Sequence, residues 1–304
     1  MIRLGLLAAI AIMLGGPVRA ALVRARFVER SPRSAIVLWQ SLGCACATAL
    51  IAVAVEAVRL SGSAPSPRRA VTDFSAHAAA GAPNSGASPE TLFVLAAVLI
   101  VGTLVVGGIL LRSIHLARER AERRTVIDLV TIEHDAVPGV RVLPHPQPTA
   151  FSLAGVRRRV VVSSGTLELL STEELTALVA HERAHTHARH DLVVLPFCAL
   201  AAAFPSSRAL ARMHARVALL VEFAADDRVL RSVGAMPFAQ ALCRVAIASP
   251  LASTVATDDD ALRRVERAFA PRRAPRLIAS GSVLGAAAIV VLPLVVLLLP
   301  FGGR

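Results

Sequence analysis

Ala180-His181-Glu182-Arg183-Ala184-His185 is the stretch on which the reading of this chain turns. The residues leading into it are helical in pattern. Ser171 with Glu174 makes an S-x-x-E capping box, and Leu175, Leu178 and Val179 supply an apolar face. Residues four apart share a helix face, so the imidazoles of His181 and His185 can reach one metal ion. Glu182, between them, is placed to accept a proton from metal-bound water. The bland counterpart is a surface helix rich in histidine and arginine, which the neighbouring His187 and His190 keep in view.

Two histidines leave a catalytic zinc one protein ligand short. Further along, within another predicted helix, comes Val221-Glu222-Phe223-Ala224-Ala225-Asp226-Asp227. Glu222 is a candidate third ligand, and Asp226, one turn later on the same face, a candidate to orient a ligand. An E-x-x-x-D pair is often no more than solvated helix charge. Glu222, however, sits in the otherwise apolar run 217–225, where an unpaired carboxylate is costly. No residue is assigned as the oxyanion partner; His187, His190 and His214 are the candidates, with surface histidine the commoner explanation for each.

The rest of the chain speaks of a membrane. The 304 residues are 55% hydrophobic but only 4% aromatic, with a mean hydropathy of +0.63, so the excess is aliphatic, as in lipid-embedded helices. Residues 4–18, 34–58, 91–111 and 277–301 are candidate spans. Crossing takes about 20 apolar residues, which the last three supply and the first falls short of. Pro293 is a candidate kink in the last. A cleaved signal peptide is the alternative for the first. Arginines decide between these readings. They cluster at 19–33, 112–124 and 267–276, whereas residues 59–90 carry only Arg59, Arg68 and Arg69. The positive-inside rule then puts 19–33 and 112–276 in the cytoplasm and retains the first span. The net charge of +12 is accounted for by these clusters, so no direct nucleic-acid binding is expected. The four cysteines form no disulfide-like framework.

The expected fold class is a mainly α membrane protein of about four transmembrane helices, with a small α+β HExxH metalloprotease domain between the third and fourth. Residues 1–112 form three membrane helices with an external flexible loop at about 60–90. Residues 113–276 form the cytoplasmic catalytic domain, and 277–304 the last helix with a short external tail. Inside the domain, 115–124 reads as a charged helix. Residues 126–132, 141–143, 149–153 and 158–162 read as strands, and 172–190, 206–232 and 237–247 as helices. The apolar run 192–204 is too short to span and reads as core or membrane-dipping.

Ala150-Phe151-Ser152-Leu153-Ala154-Gly155, Val160-Val161-Val162-Ser163-Ser164-Gly165, Thr172-Glu173-Glu174-Leu175, HExxH and E-x-x-A-D follow one another in an order that resembles two related groups. One is the BlaR/MecR-type regulatory membrane zinc metallopeptidases; the other is the HtpX and CAAX-prenyl-protease type. The resemblance covers about 148–230, and the span plan fits the BlaR/MecR type better. It implies that His181, His185 and Glu222 hold one Zn2+ per chain, that Glu182 is the base, and that the strand at 158–163 pairs with an extended substrate. It further implies a plasma-membrane, multi-pass metalloendopeptidase hydrolysing peptide bonds by zinc-activated water, with a cytoplasmic substrate such as a DNA-binding transcriptional repressor. The sequence ends at Arg304 with no penicillin-binding sensor domain, so lactam sensing by this polypeptide is not expected. The alternatives are HtpX-like quality control of membrane proteins and a non-catalytic membrane signalling scaffold.

Overall fold

Pro17 shapes the first apolar stretch. In the computed structural model, α1 (Ile2–Met13) passes through a π-helical turn at Leu14–Val18 into α2 (Arg19–Arg24). Proline has no N–H to give to the preceding turn, so the ladder widens there, and Arg19 Nε donates to the Gly15 carbonyl at 2.8 Å. The helical run Ile2–Arg24 therefore reaches 23 residues, longer than the 4–18 expected from sequence. After α3 (Phe27–Arg30), α4 (Pro32–Val58) is the second long apolar helix. Among the described residues these two runs, Ile2–Arg24 and Pro32–Ala57, are long and apolar enough to cross a membrane.

The structure describes residues 1–25, 27–58, 131–133, 139–153, 159–248, 258–269 and 276–299, with single positions between 96 and 137. The expected third span at 91–111 and the loop at about 60–90 lie almost wholly outside the described residues. The fourth expected span is the helix Arg276–Leu298, with Pro293 inside it, and its apolar portion is the shorter Leu284–Leu298. Four membrane helices are thus expected from the sequence, and the described residues supply two of sufficient length and apolarity.

The chain divides into two compact units. The first takes in Met1–Ala25, Val37–Leu110 and Pro275–Arg304. Leu7 of α1, Ala52 of α4 and Val296 of the last helix form its buried contact. Arg3 reaches across it, 3.5 Å from Glu56 and 2.6 Å from the Leu299 carbonyl.

The second unit takes in Arg26–Ile36 and Leu111–Ala274. Its four-stranded sheet comprises β1 (Ile132–Glu133), β2 (Val140–Leu143), β3 (Ala150–Leu153) and β4 (Arg159–Ser163) in the order β1-β2-β4-β3. β2 and β4 are parallel, and the other two pairs antiparallel. The strand expected at 126–132 is corrected. Positions 126, 127, 129 and 130 are helical, and Thr131 N still bonds the Ile127 carbonyl at 2.9 Å. The β-branched run has an exposed face here, so its propensity is overridden by the helix it continues. The described positions within 115–124 are helical.

The expectation that residues 158–163 pair with an extended substrate is also corrected. β4 is central, with β2 on one side and β3 on the other, so it has no edge to offer. β3 is one of the two outer strands, β1 the other.

Gly165 closes β4 onto α5 (Ser164–Leu169), because a Cβ there runs into the Pro146 carbonyl. α6 (Thr172–Ala188) starts with the Ser171–Glu174 capping box, its two hydrogen bonds at 2.8 and 3.3 Å. Val179 on one side of α6 packs on Val140, Val160 and Val162 of the sheet. Ala177 packs with Val229, Phe238 and Ala268 from the helices that follow. Those are α7 (His190–Ala203), α8 (Arg208–Ser232), α9 (Ala235–Ala248) and α10 (Asp258–Phe269), with α11 (Arg276–Leu298) belonging to the first unit. α6 is thus held between sheet and helices, and its third face is left for the site.

Candidate metal centre

α6 presents His181 and His185 on one face, as their spacing of four requires, and α8 brings Glu222 against them. His181 Nε2 lies 3.0 Å from His185 Nε2 and 3.2 Å from Glu222 Oε2. His185 Nε2 lies 3.5 Å from Glu222 Oε1. The ligand atoms of all three residues fall within 4.8 Å of one another. Tetrahedral ligands ~2.0–2.1 Å from a zinc ion stand about 3.3 Å apart, and two imidazoles with one carboxylate form a common donor set for zinc, so the residues present fit the ion.

The nitrogens facing away from this centre are also held. His181 Nδ1 is 3.1 Å from Asp226 Oδ1, at charge-contact distance although its N–H is not well aligned for a hydrogen bond. Asp226 is 2% exposed. His185 Nδ1 is 3.3 Å from His190 Nδ1, the two rings meeting edge to face. His190 is buried, which corrects its reading as a surface histidine. α6 ends at Arg189 in the left-handed conformation, φ 49°, and that reversal turns His190 back onto His185. Phe238 of α9 stacks on His181 at 5.8 Å between centroids. His187 is exposed, and His214 lies outside this cluster.

Arg264 is the residue of the candidate site that the sequence reading missed. It sits on α10, a helix not assigned from sequence, and it is buried. Its Nε and Nη2 donate to Asp226 Oδ2 and Oδ1 at 3.0 and 2.8 Å. Nη1 lies 3.2 Å from Glu222 Oε2 and Nη2 3.3 Å from His181 Nε2. The signal in the sequence was the amphipathic pattern of 258–269, an acidic start and a basic end complementing a helix dipole. On the next turn Arg267 pairs with Asp227 at 2.7 Å.

These contacts set the charges. Burial pulls the His181 pKa down, but the carboxylates of Asp226 and Glu222 outweigh it and hold it at about 9. Burial pushes Glu222 up, yet the Arg264 charge and the two histidines hold it well below the usual carboxylate range. About a third of the Glu222 side chain, 31%, still opens on the cleft. Asp226 is likewise lowered against its burial, chiefly by Arg264, whose own pKa the two carboxylates raise. Burial and the nearby His185 push His190 down to about 4, leaving it neutral.

Glu182 lines the same open cleft of about 280 Å³ as His181, His185 and Glu222, together with Ala150, Phe151 and Ser152 of the outer strand β3. A strand edge, a carboxylate and three residues that could hold a metal ion thus meet in one cleft. Residues 117–259 match the sequence model of Peptidase family M48. That domain supports the M48 metallopeptidase family and implies metallopeptidase activity on protein or peptide substrates. M48 metallopeptidases are typically zinc-dependent. No curated protein and no solved structure matches the chain. All four HExxH and glutamate residues, and Asp226, fall inside the matched segment; Arg264 falls beyond it.

Proposed function

We propose that this chain is an integral-membrane zinc metalloendopeptidase in which His181, His185 and Glu222 hold one Zn2+ and Glu182 is the catalytic base. The observation that carries the reading is the convergence of the three ligand atoms at 3.0–3.5 Å separations, with Glu182 lining the same cleft. Zinc, when bound, supplies Lewis acidity toward water and the scissile carbonyl. Glu182 takes the proton that the water gives up and hands it to the leaving amine. Asp226 and His190 fix the two imidazoles through their Nδ1 atoms, so each Nε2 lone pair stays aimed at the ligand position. Arg264 holds Asp226 and neutralises the carboxylate charge beside it. The substrate lies extended against β3, whose backbone edge sets its direction and register.

In this reading residues 1–112 and 277–304 are the membrane parts and 113–276 the cytoplasmic catalytic domain. The arginine clusters at 19–33, 112–124 and 267–276 support that orientation, and the long apolar helices Ile2–Arg24 and Pro32–Ala57 support membrane residence. The span plan read from the sequence is what supports regulatory cleavage of the BlaR/MecR kind, directed at a cytoplasmic protein such as a transcriptional repressor. The test is to incubate detergent-purified, zinc-loaded protein with cytoplasmic protein extract and read the new N-termini by mass spectrometry. A short set of cleaved proteins, lost on chelation, is expected. No chelator-sensitive cleavage would overturn peptidase function, and indiscriminate cleavage would overturn the regulatory role.

A further inference from the structure

The hairpin of α7 and α8 carries apolar surface that the metal centre does not use. Leu192 and Leu200 of α7 are 48% and 40% exposed, and Phe204 at the tip is 56% exposed. Leu192, Pro196 and Leu200 recur every four residues and trace one stripe along the helix. The chain turns at Phe204-Pro205-Ser206-Ser207, and α8 then opens with Arg208 and Arg212, exposed and one turn apart. Among the described residues no carboxylate pairs with either arginine. An apolar tip followed by two free cations suits the boundary between acyl chains and anionic headgroups. At 14 residues, α7 is ~21 Å long, too short to cross a bilayer.

Chain connection puts such a boundary within reach. Glu29 accepts a hydrogen bond from Arg216 of α8 at 2.8 Å, and its carbonyl accepts one from Arg267 at 3.1 Å. Glu29 lies in the short connector between Ile2–Arg24 and Pro32–Ala57, the two helices able to cross a membrane. It stands three residues from the second and five from the first, so about 10–17 Å of chain at most separates it from the ends of the spans. α8 is therefore tied, at Arg216, to a residue of the connector that the membrane reading puts close to the bilayer surface. Arg212 and Arg208 lie nearer the tip by ~6 and ~12 Å along the helix axis.

We propose that the α7–α8 tip, through Leu200, Phe204, Arg208 and Arg212, inserts into the anionic leaflet on the catalytic side of the membrane. The proposal rests on the membrane reading above. Seated there, the tip holds the cleft beside the bilayer, so the peptide bonds within reach are those close to the membrane surface.

The test uses the full chain with its four cysteines replaced by alanine, reconstituted in phosphatidylcholine vesicles with about one third phosphatidylglycerol. A nitroxide is placed in turn at F204C, at L50C on an exposed face of α4, and at M236C on α9. Its collisions with oxygen, which concentrates among acyl chains, are compared with those of a water-soluble nickel chelate. Oxygen should dominate at F204C and L50C, and the chelate at M236C. Adding R208Q and R212Q should shift F204C toward the chelate. Water-like behaviour at F204C with lipid-like behaviour at L50C overturns the proposal and leaves the membrane reading standing. Water-like behaviour at L50C overturns both. An F204C signal unmoved by R208Q and R212Q overturns the role of the anionic headgroups.

Discussion

Arg264 grips Asp226 with two parallel hydrogen bonds, at 2.8 and 3.0 Å, and the same guanidinium stands 3.2 Å from Glu222. One buried cation thus serves the carboxylate beside His181 and the carboxylate of the candidate ligand set. Removing it leaves both charges with only the histidines for compensation. Arg264→Met should destabilise the catalytic unit by about 3–5 kcal/mol. Arg264→Lys keeps the charge but loses the forked geometry, and should cost less. Thermal unfolding of the metal-free protein is the measurement, and an unchanged midpoint for the methionine variant would show that the pair is dispensable.

Glu182 touches the cleft without belonging to the ligand set. Glu182→Gln should therefore retain about one zinc per chain while kcat falls by about 10²–10⁴. His185→Ala should lose the zinc itself. The two variants are separated by metal analysis alongside peptide cleavage. Loss of zinc in the glutamine variant would mean that Glu182 ligates instead.

The state of His181 makes metal uptake depend on pH. In the metal-free protein its pKa is held up at about 9, so at neutral pH the imidazole carries a proton that must leave before zinc binds. Uptake at pH 7 should release about one proton from this residue, and affinity should rise with pH up to about 9. Calorimetry in buffers of different ionisation enthalpy measures the release. The sign for metal-free stability is the reverse. The raised pKa stabilises the fold fully below the unfolded value of about 6.5 and ceases to do so as pH climbs through 9.

Arg3 and Glu56 make a charge contact at 3.5 Å, with Glu56 wholly buried in the first unit. Arg3→Leu removes the guanidinium in contact with that carboxylate, whereas Arg3→Leu with Glu56→Leu removes both charges. The single variant should be the less stable of the two. Unfolding in detergent compares them, and equal stability would show that the pair contributes nothing. Intact-mass measurement should also find the first helix retained, since its Leu7 packs on Ala52 and Val296.

Much of this was written in local sequence. The capping box and the i, i+4 histidines fix α6 and its metal-facing side, because both depend on residues within a turn of one another. Glu222 was legible because a carboxylate in an apolar helix demands a partner. Length and apolarity alone marked α4 as a candidate span, and the structure shows a helix long and apolar enough to cross. What sequence could not decide were relations between residues far apart in the chain. Arg264 meets Asp226 across 38 positions, and an arginine on an amphipathic helix looks the same whether it faces water or a buried carboxylate. Likewise the resemblance implied that residues 158–163 pair with substrate, yet the pairing of β2 and β3 on the two sides of β4 makes it central and leaves β3 to line the cleft. Helix periodicity and capping are short-range and survive in a linear string. Strand order and ion pairing are set by tertiary packing, which brings together groups whose spacing in sequence carries no signal.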